Sequence, residues 1–248
     1  MVKSNLDRRI GNSLQIVAHR GFSGLYPENT LLAIKKALEL DVDFIEVDVR
    51  ETKDKELVIM HDEKIDRTTD GKGFVKEIAF SELRKYDAGR WKGFPGEKVP
   101  HLKEVLETLD KKTGLLIEIK ECDIENLLKC IEKFQTGQHL FIGSFSLDYV
   151  KKVRSLFSEL PTTYITSNVP DNLKELIATG IRKLDIHYKS LDSKVVKKLV
   201  ASGFLVNTWT PDEEKDLISC IDMGVQFITT NRPDTLKKII KMESKNDA

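Results

Sequence analysis

The chain has 248 residues, with 40 basic and 40 acidic side chains and 40% hydrophobic residues. Balanced charge removes any global electrostatic reason to bind nucleic acid or an anionic membrane, and no apolar run approaches the ~20 residues of a membrane span. The opening residues, MVKSNLDRRIGNS, lack a signal peptide's apolar core, and the three cysteines show no close pairing, so a reduced, cytoplasmic protein without stable membrane insertion is expected.

The first apolar run, Ile16–Ala18, ends in His19-Arg20-Gly21. An apolar run bounded by polar residues reads as a buried strand whose last residues emerge at a surface. Gly21 and Gly24 predict a turn. Pro27-Glu28-Asn29-Thr30 then opens a helix through Leu40, with Asn29 as N-cap and Leu31, Ile34, Ala37 and Leu38 on its apolar face. The second run, Phe44–Val49, carries Glu46 and Asp48 at alternate positions, so both carboxylates point to one side of a strand. Like charges that close repel unless a cation or a shared proton lies between them. Hard oxygen donors favour magnesium or calcium over zinc. A third run, Leu57–Met60, ends in His61-Asp62. Two imidazoles beside an acidic pair suit phosphoryl chemistry, because one ring can accept a proton near neutrality while the other donates one. Arg20 beside them can grip phosphate oxygens with two donors.

From Glu63 to Thr113 the strand–helix rhythm lapses into a segment rich in glycine and proline, with a short helix around Ser81–Tyr86. A connection this long is usually functional, and it reads as an insertion of about residues 63–100 covering the mouth of the fold. For Arg90 and Trp91, burial within it is expected over contact with a substrate. A helix from about His101 to Asp110 restores the rhythm. Gly114–Lys120 is again a buried strand with polar exits, and Glu118 and Lys120 share one side; a plain ion pair is the simpler alternative there. Strands and helices then alternate. Helices start near Ser146, Asp171 and Asp192, and Thr210-Pro211-Asp212-Glu213 reads as a capping box with proline at the first helical position. A last helix starts at Pro233, with a frayed tail ESKNDA.

Strands starting near Leu14, Asp43, Gly114, His139, Thr162, Lys183, Phe204 and Gln226 point to a single α/β domain over 1–248: a closed (β/α)8 TIM barrel with a small insertion after the second strand. A doubly wound open sheet is the alternative, weakened because no G-x-G-x-x-G follows the first strand. The ionisable residues above all sit at carboxyl ends of strands, the face where barrel active sites are built. Phe145, Trp209 and Asn231 exit on the same face. His187 reads as structural, and His101 and His139, at element starts, carry no assigned chemistry.

His19-Arg20-Gly21, Pro27-Glu28-Asn29-Thr30, Glu46-x-Asp48-Val49, His61-Asp62 and Asp66-Arg67-Thr68-Thr69 together resemble, in order and spacing, the signature of glycerophosphodiester phosphodiesterases. The resemblance implies metal-dependent hydrolysis of a small-molecule glycerophosphodiester to sn-glycerol 3-phosphate and an alcohol. It implies one divalent cation, Mg2+ or Ca2+, on Glu46, Asp48 and Glu118, and phosphate contacts from Arg20 and Lys120. Trp209 would line the glycerol pocket. His19 would act as base and His61 as acid, although the residues alone leave that order open. They also leave open attack by water or by the neighbouring glycerol hydroxyl, the head group and the oligomeric state. Lysophospholipase D-type cleavage at the same site is the runner-up. A non-catalytic glycerophosphate-binding barrel is a third reading, opposed by the intact histidines and carboxylates. Two positions depart from the family pattern: His101, where a threonine is common, and Asn231, where an acidic residue is common.

Overall fold

The structure, a computed structural model, describes residues 14–134, 137 and 139–246. The first half of the chain forms β1 (Gln15–Ala18), α1 (Leu31–Glu39), β2 (Phe44–Glu51), β3 (Leu57–Ile59), α2 (Phe80–Leu83) and α3 (Leu102–Thr108). Next come β4 (Gly114–Glu121), α4 (Ile124–Phe134), β5 (Leu140–Ser144), α5 (Leu147–Leu156), β6 (Thr162–Thr166) and α6 (Leu173–Ala178). The chain finishes with β7 (Lys183–His187), α7 (Ser193–Ala201), β8 (Leu205–Trp209), α8 (Glu214–Met223), β9 (Phe227–Thr230) and α9 (Pro233–Asn246). Strand β1 pairs in parallel with both β2 and β9, and every strand but β3 runs parallel to its neighbours, so eight strands close on themselves. This is the expected (β/α)8 barrel. Strand β3 is the extra one: it folds back antiparallel on β2, pairing Ile59 with Val49 and Leu57 with Glu51.

Alternation along each strand sorts the interior from the helix layer. Ile45, Val47, Leu115, Ile117, Ile142, Leu184, Val206 and Ile228 point outward and are buried beneath the helices. Phe44, Phe141 and Phe227 point inward, their ring centroids 5.7–6.1 Å apart in tilted and edge-on arrangements. Burying each ring contributes on the order of 2–3 kcal/mol, and together they plug the barrel's amino-terminal end. The carboxyl-terminal end stays open. Strand β3 shows the same alternation: Leu57 and Ile59 join the main core, while Val58 and Met60 join a second cluster with Ile65, Val75, Leu83, Ala88 and Val99 in the insertion.

Several local expectations need correction. Thr30, not Asn29, caps α1: its hydroxyl accepts from Ala33 N, while Asn29 adopts a left-handed conformation (φ 57) and turns its amide to Asp48. The Thr210–Glu213 stretch is no capping box, because α8 begins at Glu214 after an N-cap without a side-chain bond, and Asp212 is drawn instead to Thr230 and Asn231. Arg90 and Trp91 are exposed rather than buried; the Trp91 indole N–H donates to Ala88 O at the surface. Helix α9 continues to Asn246 through most of the tail read as frayed. His101 has a role after all as the N-cap of α3, in a reciprocal capping box with Glu104. Cys122, Cys130 and Cys220 are all free, and among the described residues no helix is long and apolar enough to cross a membrane.

Candidate active site

Two neighbouring strands bring the carboxylates together. Glu46 and Asp48 come from the inward face of β2, and Glu118, registered against Asp48, from the inward face of β4. All three are buried, and one oxygen of each lies within 4.8 Å of one of the others'. Glu46 Oε1 has no hydrogen-bond partner, and Asp48 Oδ1 and Glu118 Oε1 meet no donor but the Lys120 ammonium. Burial, reinforced by Asp48 and Glu118, pushes the Glu46 carboxyl well above its ordinary range. Burial and the Asp48 charge likewise push Glu118 up to about 7. Asp48 behaves oppositely: burial favours its neutral form, but Lys120 and Arg20 outweigh that and hold it at about 2. A buried trio that the protein's own cations leave partly protonated, with Glu46 Oε1 orphaned and the other two oxygens sharing one ammonium, fits a hard divalent cation.

The cations flank this trio. Lys120 Nζ lies 3.2 Å from Asp48 Oδ1 and also contacts Glu118 Oε1. Arg20 Nε lies 3.2 Å from Asp48 Oδ2, and the Arg20 backbone N–H donates to Glu46 Oε2 at 2.9 Å. That backbone bond requires the left-handed conformation of Arg20 (φ 55), which leads into Gly21 (φ 76). A side chain at Gly21 would place its Cβ 2.7 Å from the Ala33 carbonyl carbon, so the turn delivering Arg20 depends on glycine.

Each histidine gives one ring nitrogen to a protein acceptor. His19 Nδ1 is 2.7 Å from Asn231 Oδ1, and Asn231 Nδ2 donates to Asp212 Oδ2 at 2.6 Å, which fixes the amide's orientation. His19 Nδ1 therefore carries its proton, and the bare Nε2 faces Glu46 Oε2 at 3.9 Å. Burial, with Arg20 adding to it, lowers the His19 pKa to about 4. His61 Nδ1 is 2.6 Å from Asp62 Oδ1, and burial lowers its pKa against the pull of Asp48. Arg67 bridges Asp62 (2.6 Å) and Glu28 (2.8 Å), and Glu28 accepts from Arg20 (2.7 Å), so alternating charges run from Asp48 to His61.

His19, Arg20, Glu46, His61, Glu118 and Lys120 all open on one cleft of about 150 Å³. Trp209 and Phe145, edge to face at 5.5 Å, form its opposite wall. The Trp209 N–H is committed to Asp185 O at 3.1 Å, so the indole offers the cleft its ring and not its donor. All eight residues singled out from the sequence thus meet in one place. Sequence reasoning missed the orienting roles of Asp212 and Arg67. Asn231 was visible as a strand exit, but nothing local announced its partner.

Residues 19–235 match the sequence profile of the Glycerophosphoryl diester phosphodiesterase family. The chain belongs to that family. The Glycerophosphodiester phosphodiesterase of Bacillus subtilis (strain 168), a member by name, is 36% identical over 251 residues, covering 91% of this chain and 86% of that one. The Glycerophosphodiester phosphodiesterase of Caldanaerobacter subterraneus is 34% identical over 236 residues, covering 91% and 97%. Among solved structures, a phosphodiesterase of Oleispira antarctica in complex with the product sn-glycerol-3-phosphate superposes with a TM-score of 0.88 at 28% identity, covering 92% of this chain and 96% of that one.

Proposed function

We propose that this member of the family hydrolyses glycerophosphodiesters to sn-glycerol 3-phosphate and an alcohol by general acid–base catalysis at a metal site. The observation that carries this reading is the convergence of a buried carboxylate trio, two oriented imidazoles and two cations on one cleft. Glu46, Asp48 and Glu118 would hold one Mg2+ or Ca2+, which when bound supplies Lewis acidity to the phosphoryl oxygens. Arg20 and Lys120, already paired with Asp48, neutralise charge that gathers on those oxygens in the transition state.

His19 is neutral at neutral pH, and its bare Nε2 faces the trio, so it is the base that takes the proton of the attacking oxygen. His61 acts as the acid. Asp62 takes its Nδ1–H, and Nε2 delivers a proton to the departing alcohol; the lowered pKa makes its imidazolium a stronger acid. Trp209 and Phe145 provide an apolar wall for the glycerol carbons.

The deciding experiment is a coupled assay for sn-glycerol 3-phosphate released from a panel of glycerophosphodiesters with Mg2+ or Ca2+ supplied. Release from glycerophosphocholine or glycerophosphoethanolamine is expected, and no release from any diester in either ion would overturn the reading.

A further inference from the structure

Beneath the carboxylate trio the cleft reaches a polar floor that phosphoryl transfer does not use. Asp185 on β7 and Asn207 on β8 are registered against each other, facing inward, and both line the cleft together with Thr229. Asp185 is 2% exposed, and its Oδ1 takes two donors: the Thr163 hydroxyl at 2.6 Å and the Lys183 ammonium. Lys183 comes from below, its Nζ 5.0–5.2 Å from the centroids of Phe227 and Phe141. Both bonds crowd one oxygen, and Oδ2 is left to the cleft. Asn207 Nδ2 donates to Thr229 Oγ1 at 2.8 Å, and Asn207 sits across the β7–β8 register from Asp185.

A buried ion pair is a poor device for stability, since apolar residues of similar volume usually serve as well. The layer immediately below is made of phenylalanines, so an apolar filling was available here. What this pair supplies is a carboxylate oxygen at the inner end of the cleft, beside the ammonium that holds its partner oxygen. Lys183 already balances its charge, so a neutral donor is the matching ligand and a cationic amine gains little. We propose that Asp185 Oδ2, with the Asn207 amide beside it, accepts the hydrogen bond of the glycerol hydroxyl farthest from phosphate. Asp185 is thereby a specificity-determining residue for unacylated glycerol. This rests on the function proposed above. An acyl group on that hydroxyl removes the donor hydrogen, leaves Asp185 unpaired and drives a chain against the floor closed by Phe44, Phe141 and Phe227. Lysophospholipids are accordingly disfavoured.

The test compares kcat/KM for sn-glycero-3-phosphocholine and for 2-hydroxypropyl phosphocholine, which lacks only the distal hydroxyl. The protein is expected to prefer the first by roughly 10–100-fold, the worth of one hydrogen bond to a charged group. Asp185→Asn is expected to bring that preference to within ~3-fold, chiefly by loss on the glycerol substrate. An unchanged preference in the variant overturns the proposal. If the variant does not fold, a ratio near one in the unmodified protein overturns it alone. A preference for choline over a glycerol head group that vanishes in Asp185→Asn would assign the carboxylate to the amine and also overturn it. If no glycerophosphodiester is turned over, the functional reading falls separately. Calorimetric binding of sn-glycerol 3-phosphate against 2-hydroxypropyl phosphate then decides the subsite, equal affinities counting against it.

Discussion

His19 and His61 differ in what holds them, and that difference sets what their loss should do. His19 leans on a neutral amide, Asn231, itself anchored by Asp212; His61 leans on a carboxylate that Arg67 holds well below its usual range. Replacing either by alanine should lower kcat by ~100-fold or more while binding of sn-glycerol 3-phosphate persists, measured by steady-state assay and calorimetry. Near-normal turnover would remove that histidine from the mechanism. Asn231→Ala should free the His19 ring to adopt either tautomer, costing ~10-fold or more in kcat with KM and melting temperature little changed. The histidines and Arg20 were legible in the sequence because they follow apolar runs, and the carboxylates because they alternate within them. The Asn231–His19 bond was not, since its partners lie 212 positions apart and only barrel closure brings them together.

At the scale of elements, the turn between β1 and α1 concentrates the unusual backbone. Arg20, Gly21 and Asn29 all have positive φ, and two of the three meet the site carboxylates directly. For the two non-glycine residues such conformations cost on the order of 1–3 kcal/mol each, and they persist where the surroundings impose them. Gly21→Ala should therefore destabilise by about 1–3 kcal/mol, read as a lower urea midpoint, and should also weaken activity because Arg20 shifts. An unchanged midpoint would mean the turn relaxes freely. Helix caps were less legible than strands. Thr30 and Asn29 are both good caps by type, and the choice went to Thr30 because Asp48 claims the Asn29 amide. Thr210 was misread as a cap: the helix starts later, at Glu214, and Asp212 in that stretch accepts from the distant Thr230 and Asn231 instead. Capping is a contest between near and distant partners, and a sequence shows only the near ones.

For the whole molecule, the carboxylate trio links stability to metal and pH. Glu118 is raised in the folded state from an ordinary 4.5 to about 7, so it binds its proton more tightly folded than unfolded. That contribution is fully present below about pH 4.5 and lost as pH rises through 7. Metal-free protein should melt at falling temperature across this window, and Mg2+ or Ca2+ should restore the loss at pH 7 and above, where the ion displaces the proton. Activity retained after complete chelation would contradict the trio's proposed role. The barrel itself was readable from eight strand–helix units interrupted by one insertion, while the antiparallel course of β3 was not, because a three-residue apolar strand carries no mark of direction. That short strand has one more consequence. Its two faces belong to different cores, and the residue that emerges beyond it is His61, whereas His19 is built into the barrel wall. The proposed proton donor and the proposed proton acceptor are thus housed in separately consolidated parts, so warming should silence turnover before far-ultraviolet circular dichroism registers any loss of the barrel. Coincident curves would show that the two parts melt as one.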